Sequence, residues 1–368
     1  MGGQLVIGIV GCGKISGAYL NTLKRLDNVR VAAAADLDPA RAAKVQADHP
    51  EISARSVDEL LSDSEIELVL NLTVPAAHAA VAMRALRSGK HVYGEKPLAA
   101  TLAEADGVLA LATGGLRVGC APDTVLGIGT QTARSAVDSG MIGTPVAATA
   151  VMANAGPESW HPDPDFYFQP GGGPLLDMGP YYLSALVHLL GPVSRVSGAA
   201  RRGRATRTIG SGPRAGTIFP VDIDTHVTGV LEHESGALST LLMSFDVHAS
   251  RMPRIEVHGT DGSLTVPDPN RFDGTVEVRG PGEREWRALP TSGGYANSAR
   301  GYGVSDLATA LRTGVPHRAS AELARHVLDV MESLLTAAHT HTAVEVRSRC
   351  ERPVPVAAGA DPTQPWGD

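Results

Sequence analysis

LVIGIVGCGKISG, residues 5–17, decides how this chain is read. Leu5 to Val10 is an unbroken apolar run, as expected of a strand buried on both faces of a parallel sheet. Gly11, Gly13 and Ser16 follow at the GxGxxG/A positions. Helical spacing starts at once, with Ile15, Tyr19, Leu23 and Leu26 on one side. A strand, a glycine turn and a helix in that order leave free backbone N–H groups at a helix N-terminus, where a pyrophosphate binds. Gly11 allows the tight turn and Gly13 the close approach of backbone to phosphate. Ser16 departs from Gly or Ala but is small enough for close packing. The next strand, VRVAAAAD, ends on Asp36, where a ribose-binding acid belongs. A carboxylate there accepts from a 2′-hydroxyl and repels a 2′-phosphate, which favours NAD over NADP. Nearby Arg41 pulls the other way.

Strand–helix alternation continues outward from this unit. Pro39 opens a helix, ELVLNLTV is a third strand, and AAHAAVAMRALRSG is a helix stopped by Gly89. KHVYGEKP and LRVGCAP supply two more strands around a helix at 101–113. The pattern predicts a doubly wound parallel sheet over residues 1–122. From residue 123 the texture changes. VAATAVMA, RVSGAARR, DTHVTGVLEH, ALSTLLMSFDVH, RIEVHG, GSLTVP and TVEVRG are strand-like runs separated by glycine and proline turns. Helices are predicted near 127–139, 175–190, 303–313 and 320–338. The fold class is therefore α/β: an N-terminal dinucleotide-binding domain, then an α+β substrate or oligomerisation domain at 123–350 with a large, mainly antiparallel sheet. Residues 351–368, rich in proline and small residues, read as an extended tail.

Composition narrows the function. The 368 residues carry a net charge of −7, which disfavours a general nucleic-acid binder. No stretch approaches the length of apolar sequence that spans a bilayer, and no secretory signal is read. Cys12, Cys120 and Cys350 are odd in number and widely spaced. They give no disulfide framework or zinc pattern, and a reducing cytoplasm suits them. Asp222, Asp224 and His226 alternate along a strand and read as an exposed polar face, so no metal is expected. Arg201, Arg202, Arg204, Arg207 and Arg214 read as a solvated strand and turn.

Several residues fall where chemistry is expected. Carboxyl ends of parallel strands face the ligand crevice, which places Leu72, Thr73, Pro75 and His78 beside a nicotinamide and Asp123 beside substrate hydroxyls. Glu95 and Lys96, in GEKPL, leave the next strand at the same edge. Trp160 and His161, in ESWHPDPDFYF, suit the wall of a sugar pocket, because aromatic faces pack on the apolar side of a pyranose. Gly171–Gly173 give a tight approach to a helix that carries Asp177 and Tyr181.

The GCGKI turn, Asp36, LTVPAAH, EKP and GGGPLLDMGPYY, in that order, resemble the glucose-fructose oxidoreductase / inositol dehydrogenase / rhizopine-catabolism (Gfo/Idh/MocA) family over roughly residues 5–345. The resemblance implies a Rossmann domain and a second domain whose sheet face commonly forms a homodimer or homotetramer interface. It also implies NAD(P)-dependent oxidation or reduction of a hydroxyl carbon in a sugar or polyol. It assigns Gly11, Cys12, Gly13, Lys14, Ile15, Asp36, Leu72, Thr73, Pro75, His78, Glu95 and Lys96 to the cofactor. Lys96, Asp177 and Tyr181 form the catalytic and substrate set, with Asp123, Trp160 and His161 further substrate contacts. Where family members often carry DxGxHxxD, this chain keeps Asp177 and Gly179 but has Tyr181 and Ser184 in place of the histidine and final aspartate. That departure resembles the branch of glucose-fructose oxidoreductases and dimeric dihydrodiol dehydrogenases.

The chemistry also stands apart from the resemblance. Removing hydride from a secondary alcohol requires taking its hydroxyl proton. A lysine ammonium favours phenolate, so a Lys96–Tyr181 pair can bring tyrosine toward working pH. Asp177, four residues before Tyr181, shares its helix face and can position Lys96 or a hydroxyl. Lys96 and Tyr181 both remain candidates for the proton carrier. The alternatives are a trans-dihydrodiol or aldose C1 dehydrogenase, a glycosidase that uses oxidised cofactor transiently, and a non-catalytic NAD-sensing regulator. A sensor has no need of Lys96, Asp177 and Tyr181 together.

Overall fold

The computed structural model describes residues 3–364. These residues form two compact units, each discontinuous in sequence. The first combines 3–128, Gly293–Arg325 and 353–364. Its sheet has six parallel strands: β1 (Leu5–Val10), β2 (Val29–Ala35), β3 (Ser53–Ala54), β4 (Leu68–Asn71), β5 (His91–Gly94) and β6 (Val118–Cys120), in the order β3-β2-β1-β4-β5-β6. Helices α1 (Ser16–Leu23), α2 (Pro39–Asp48), α3 (Val57–Ser62), α4 (Pro75–Arg87) and α5 (Leu102–Leu111) connect them. Local chemistry sets their starts. Asp38 caps α2 ahead of Pro39, Thr101 caps α5, and Ser56 with Glu59 closes a capping box on α3. Strand order reverses between β1 and β4, so the turns after these two strands flank the switch point where such sheets bind ligands.

The second unit comprises Gly129–Ser292 and His326–Arg352. It follows α6 (Ile128–Asp138) with β7 (Pro145–Ala153), α7 (Pro174–Leu190) and β8 (Val193–Arg201). A separate hairpin, β9 (Thr206–Thr208) and β10 (Ile218–Pro220), comes next. Then follow β11 (His226–His233), β12 (Leu238–Ser244), β13 (Ile255–Gly259), β14 (Gly262–Val266), β15 (Glu277–Arg279) and β16 (Arg287–Ala288). The chain returns to the first unit for α8 (Tyr302–Thr313). It then continues through α9 (Ala321–Thr340) to β17 (Val344–Glu345), which is paired with β8. The nine-stranded sheet runs β16-β15-β14-β13-β7-β12-β11-β8-β17. Every neighbouring pair is antiparallel except β7 with β12, so the sheet is mixed.

Helix α7 packs on β7, β11 and β12. On that face Val227, Leu231, Ala148, Ala150 and Met243 are buried. Paired Gly198 and Gly229 make room for Leu334 of α9: a Cβ on either would lie within 2.6 Å of its side chain. The opposite face presents Thr149, Thr240, Val230 and Ser197 in one row across four strands. Among the described residues no helix is long and apolar enough to cross a membrane.

Two sequence expectations are corrected. The arginine-rich stretch is not simply solvated, because Arg207 on β9 is buried. The described part of the C-terminal segment is extended but docked within the first unit. Val356 is 1% exposed and its carbonyl accepts from Gly294 N at 2.9 Å, while Pro362 O accepts from Asn28 Nδ2 at 3.3 Å. Proline-rich composition signals missing regular structure. It does not signal missing tertiary contacts.

Candidate functional site

The glycine turn has the geometry of an anion-binding turn. Gly11 has φ +101°, and a Cβ there would lie 2.6 Å from the Leu72 carbonyl, so the turns after β1 and β4 meet without room for a side chain. A Cβ on Gly13 would meet nothing within 4 Å, leaving open space above the turn. Helix α1 has no side-chain N-cap, and its first N–H groups suit an anion. Ser16 Oγ donates to Gly13 O at 2.7 Å, which gives this small third residue its own purpose. Asp36 Oδ2 accepts from Cys12 N at 2.7 Å and Oδ1 from Asp38 N at 2.9 Å. The carboxylate is thereby fixed at the end of β2 with lone pairs to spare. Burial, then the Asp36 charge, pushes the Cys12 thiol up to about 11, so it is not a nucleophile at neutral pH. Arg41 pairs with Asp38 at 3.6 Å on the surface.

The second and third turns are tied together. Asn71, at the end of β4, accepts from Thr73 Oγ1 at 2.7 Å and donates to His78 O at 2.9 Å. His78 is 2% exposed, with Nε2 3.0 Å from Thr73 O and Nδ1 2.6 Å from Pro97 O. Both ring nitrogens are thus taken by carbonyls. His78 thereby fastens the Thr73 turn to the EKP segment. Glu95 N donates to Asn71 O at 3.0 Å, Glu95 Oε1 accepts from Tyr19 OH at 2.8 Å, and Glu95 Oε2 accepts from Lys96 N at 3.1 Å. Burial, then Glu95, holds the Tyr19 phenol well above its ordinary range, so it stays a donor. Lys96 is half-buried at the end of this braced segment.

Asp123, beyond the end of β6, is 1% exposed, and its Oδ2 accepts from Gly301 N at 2.8 Å and Gly303 N at 3.0 Å, which anchors the start of α8. Burial raises its carboxyl to about 6 against the pull of those N–H groups.

In the second unit, Gly173 N donates to Tyr167 O and Asp177 N to Gly173 O, so the glycine run sets the first turn of α7. Asp177 is half-buried one turn ahead of buried Tyr181 on the same helix face. Trp160, 61% exposed, starts an aromatic group in which His161 stacks edge-on against Trp160, Phe166 and Tyr167. The loop behind them is pinned by Arg207. This arginine pairs with Glu158 and Asp246, donates to Ala155 O and Phe245 O at 2.8 Å, and lies 5.1 Å from the Phe168 ring centroid. Asp177 and Trp160 come together on one cavity of about 260 Å³, which His161 does not line. Asn154, Arg254, Asp268 and Asn270 join them there. Sequence reading missed these four because each lies in a loop or at a strand end, with no periodic signal.

Comparison with known proteins agrees with this fold. Residues 5–117 match the model described as oxidoreductase family, NAD-binding Rossmann fold, and residues 130–265 match the GFO/IDH/MocA C-terminal domain. The uncharacterized oxidoreductase YrbE of Bacillus subtilis is 27% identical over 75% of this chain and 76% of its own. D-xylose 1-dehydrogenase (NADP(+)) 2 of Haloferax volcanii is 27% identical over 93% of this chain and 100% of its own. A levoglucosan dehydrogenase solved with NADH and L-sorbose shares the fold, with a TM-score of 0.79 and 21% identity over 94% of this chain and 99% of its own.

Proposed function

We propose, from the premise that this chain belongs to the GFO/IDH/MocA oxidoreductase family, that it moves hydride between NAD and a secondary alcohol or ketone of a sugar, glycoside or polyol. The observation that carries the reading is the bracing of Lys96. Its segment is held by His78 to the turn after β4 and by Glu95 to Asn71 and to Tyr19 of α1, which supports Lys96 as the ammonium that serves a reacting hydroxyl. The nicotinamide, when bound, supplies the hydride acceptor.

In this reading Lys96 and Tyr181 handle the hydroxyl proton and Asp177 orients the substrate. Free lysine and tyrosine titrate near 10.4 and 10, so ammonium beside phenol favours the phenolate that accepts a proton. The Tyr181→Phe variant tests the assignment. If Tyr181 carries the proton, kcat/KM falls by about 10²–10⁴ and the pH–rate profile loses a limb. An unchanged rate and profile would remove it from proton transfer.

Cofactor choice follows from Asp36. Asp36→Ser is expected to lower the ratio of kcat/KM with NAD to that with NADP by about 10–100-fold, the range of one charge-assisted hydrogen bond. Initial rates with both cofactors measure it, and an unchanged ratio would assign the choice elsewhere. Self-association through the open face of the nine-stranded sheet, where Val230 and Leu238 stand exposed, completes the reading.

A further inference from the structure

We infer that the cavity shared by Asp177 and Trp160 is a subsite for a second, glycosidically linked sugar ring, so that the preferred substrate is a disaccharide or larger glycoside rather than a lone monosaccharide. This rests on the sugar oxidoreductase reading and specifies its substrate.

Position comes first. Asp177 and its neighbour Met178 line one part of the cavity, but Tyr181, the candidate proton carrier, does not line it. The reacting hydroxyl that Tyr181 serves is therefore outside this space, and what fills it is the part of the substrate beyond the reacting ring. The volume of about 260 Å³ is below the roughly 300–1,000 Å³ of sites for drug-sized ligands, and it suits one small ring.

The wall chemistry then selects the occupant. Asp177 and Asp268 offer carboxylate acceptors, Arg254 offers donors, and Asn154 and Asn270 offer both. An anionic group would face two carboxylates. A cationic one would face Arg254, and an apolar one would strip water from these polar groups without replacing their hydrogen bonds. A neutral polyhydroxylated ring satisfies donors and acceptors alike, since each hydroxyl is both. Its C–H face matches the exposed indole of Trp160.

The wall is also held in place. Tyr182 is 1% exposed and its hydroxyl accepts from Arg254. Trp160 N donates to Pro157 O at 3.1 Å, beside the Glu158 that buried Arg207 grips. The indole therefore projects from an anchored loop, which lowers the entropy cost of stacking a ring on it.

The test compares initial rates for monosaccharides with those for disaccharides that contain them, in wild type, Asn270→Ala and Trp160→Ala, with circular dichroism to check folding. At least one disaccharide is expected to exceed its monosaccharide by about ten-fold or more in kcat/KM. Each variant is expected to lower that disaccharide-to-monosaccharide ratio by a similar factor, mostly through KM, as befits binding felt equally in ground and transition states. Equal ratios in wild type, or a ratio that neither variant moves, would overturn the subsite. If no sugar turns over, calorimetric titration of the NADH-loaded protein separates the two readings. Tighter binding of a disaccharide keeps the subsite and sinks hydride transfer, whereas no preference sinks the subsite.

Discussion

Lys96→Met is expected to lower kcat/KM by about 10²–10⁴-fold while leaving NADH binding within a few-fold of wild type. The substitution removes the ammonium and keeps the backbone contacts of its segment. Lys96 N reaches Glu95 Oε2, Pro97 O reaches His78, and Glu95 is held by Tyr19 and by Asn71 O. Each contact uses backbone or a neighbouring side chain, and methionine keeps most of the apolar stem. What is lost is the positive charge that, in the proposed reading, favours an alkoxide on the reacting carbon or the phenolate of Tyr181. Steady-state rates and fluorescence titration with NADH measure the two halves. Near-normal turnover would remove Lys96 from the chemistry, and a matching loss of NADH binding would make it a cofactor ligand.

Asp306→Ala is expected to cost about 3–5 kcal/mol of stability, a large part of the roughly 5–15 kcal/mol typical of a folded protein. The Asp306 carboxylate is 0% exposed and faces an Arg318 side chain only 4% exposed, with Nη1 2.5 Å from Oδ1. Asp306 also accepts from Arg318 N at 2.9 Å and from Tyr295 OH at 2.8 Å. Arg318 in turn reaches Val354 O and Pro355 O at 3.1 Å, so the pair pins the C-terminal segment. Removing the carboxylate strands a guanidinium where water cannot solvate it. The surface pair Arg41–Asp38, by contrast, is worth at most about 1 kcal/mol. Urea unfolding would check both. A loss below about 1 kcal/mol for Asp306→Ala would show that water or backbone carbonyls compensate the charge.

Sequence discloses the candidate site and its supports unevenly. Gly11, Gly13 and Asp36 sit within one strand–turn–helix–strand unit, so spacing alone finds them. The EKP segment and the Asp177–Tyr181 pair are equally local, the latter a single helical turn. The strand end at Asp123 is legible, but its hold on α8 is not, because its partners are Gly301 and Gly303, far along the chain and without side chains to signal them. His78 was found for the same topological reason, yet its two carbonyl partners are backbone atoms that sequence cannot show. The β9–β10 hairpin hid behind arginine, a residue read as solvated unless a cation-binding cluster such as Glu158, Asp246 and Phe168 is known to surround it.

The discontinuity of the first unit bears on the order of events during synthesis. Its parallel strands are complete by Cys120, yet their core also contains Tyr295, Tyr302, Val304, Leu307 and Val356. All of these emerge after most of the second unit has been made. At about 5–20 residues per second, the nascent sheet waits on the order of tens of seconds with apolar surface uncovered. An early release from the ribosome just short of residue 353 would therefore leave the cofactor unit incomplete although every residue of the second unit had been made.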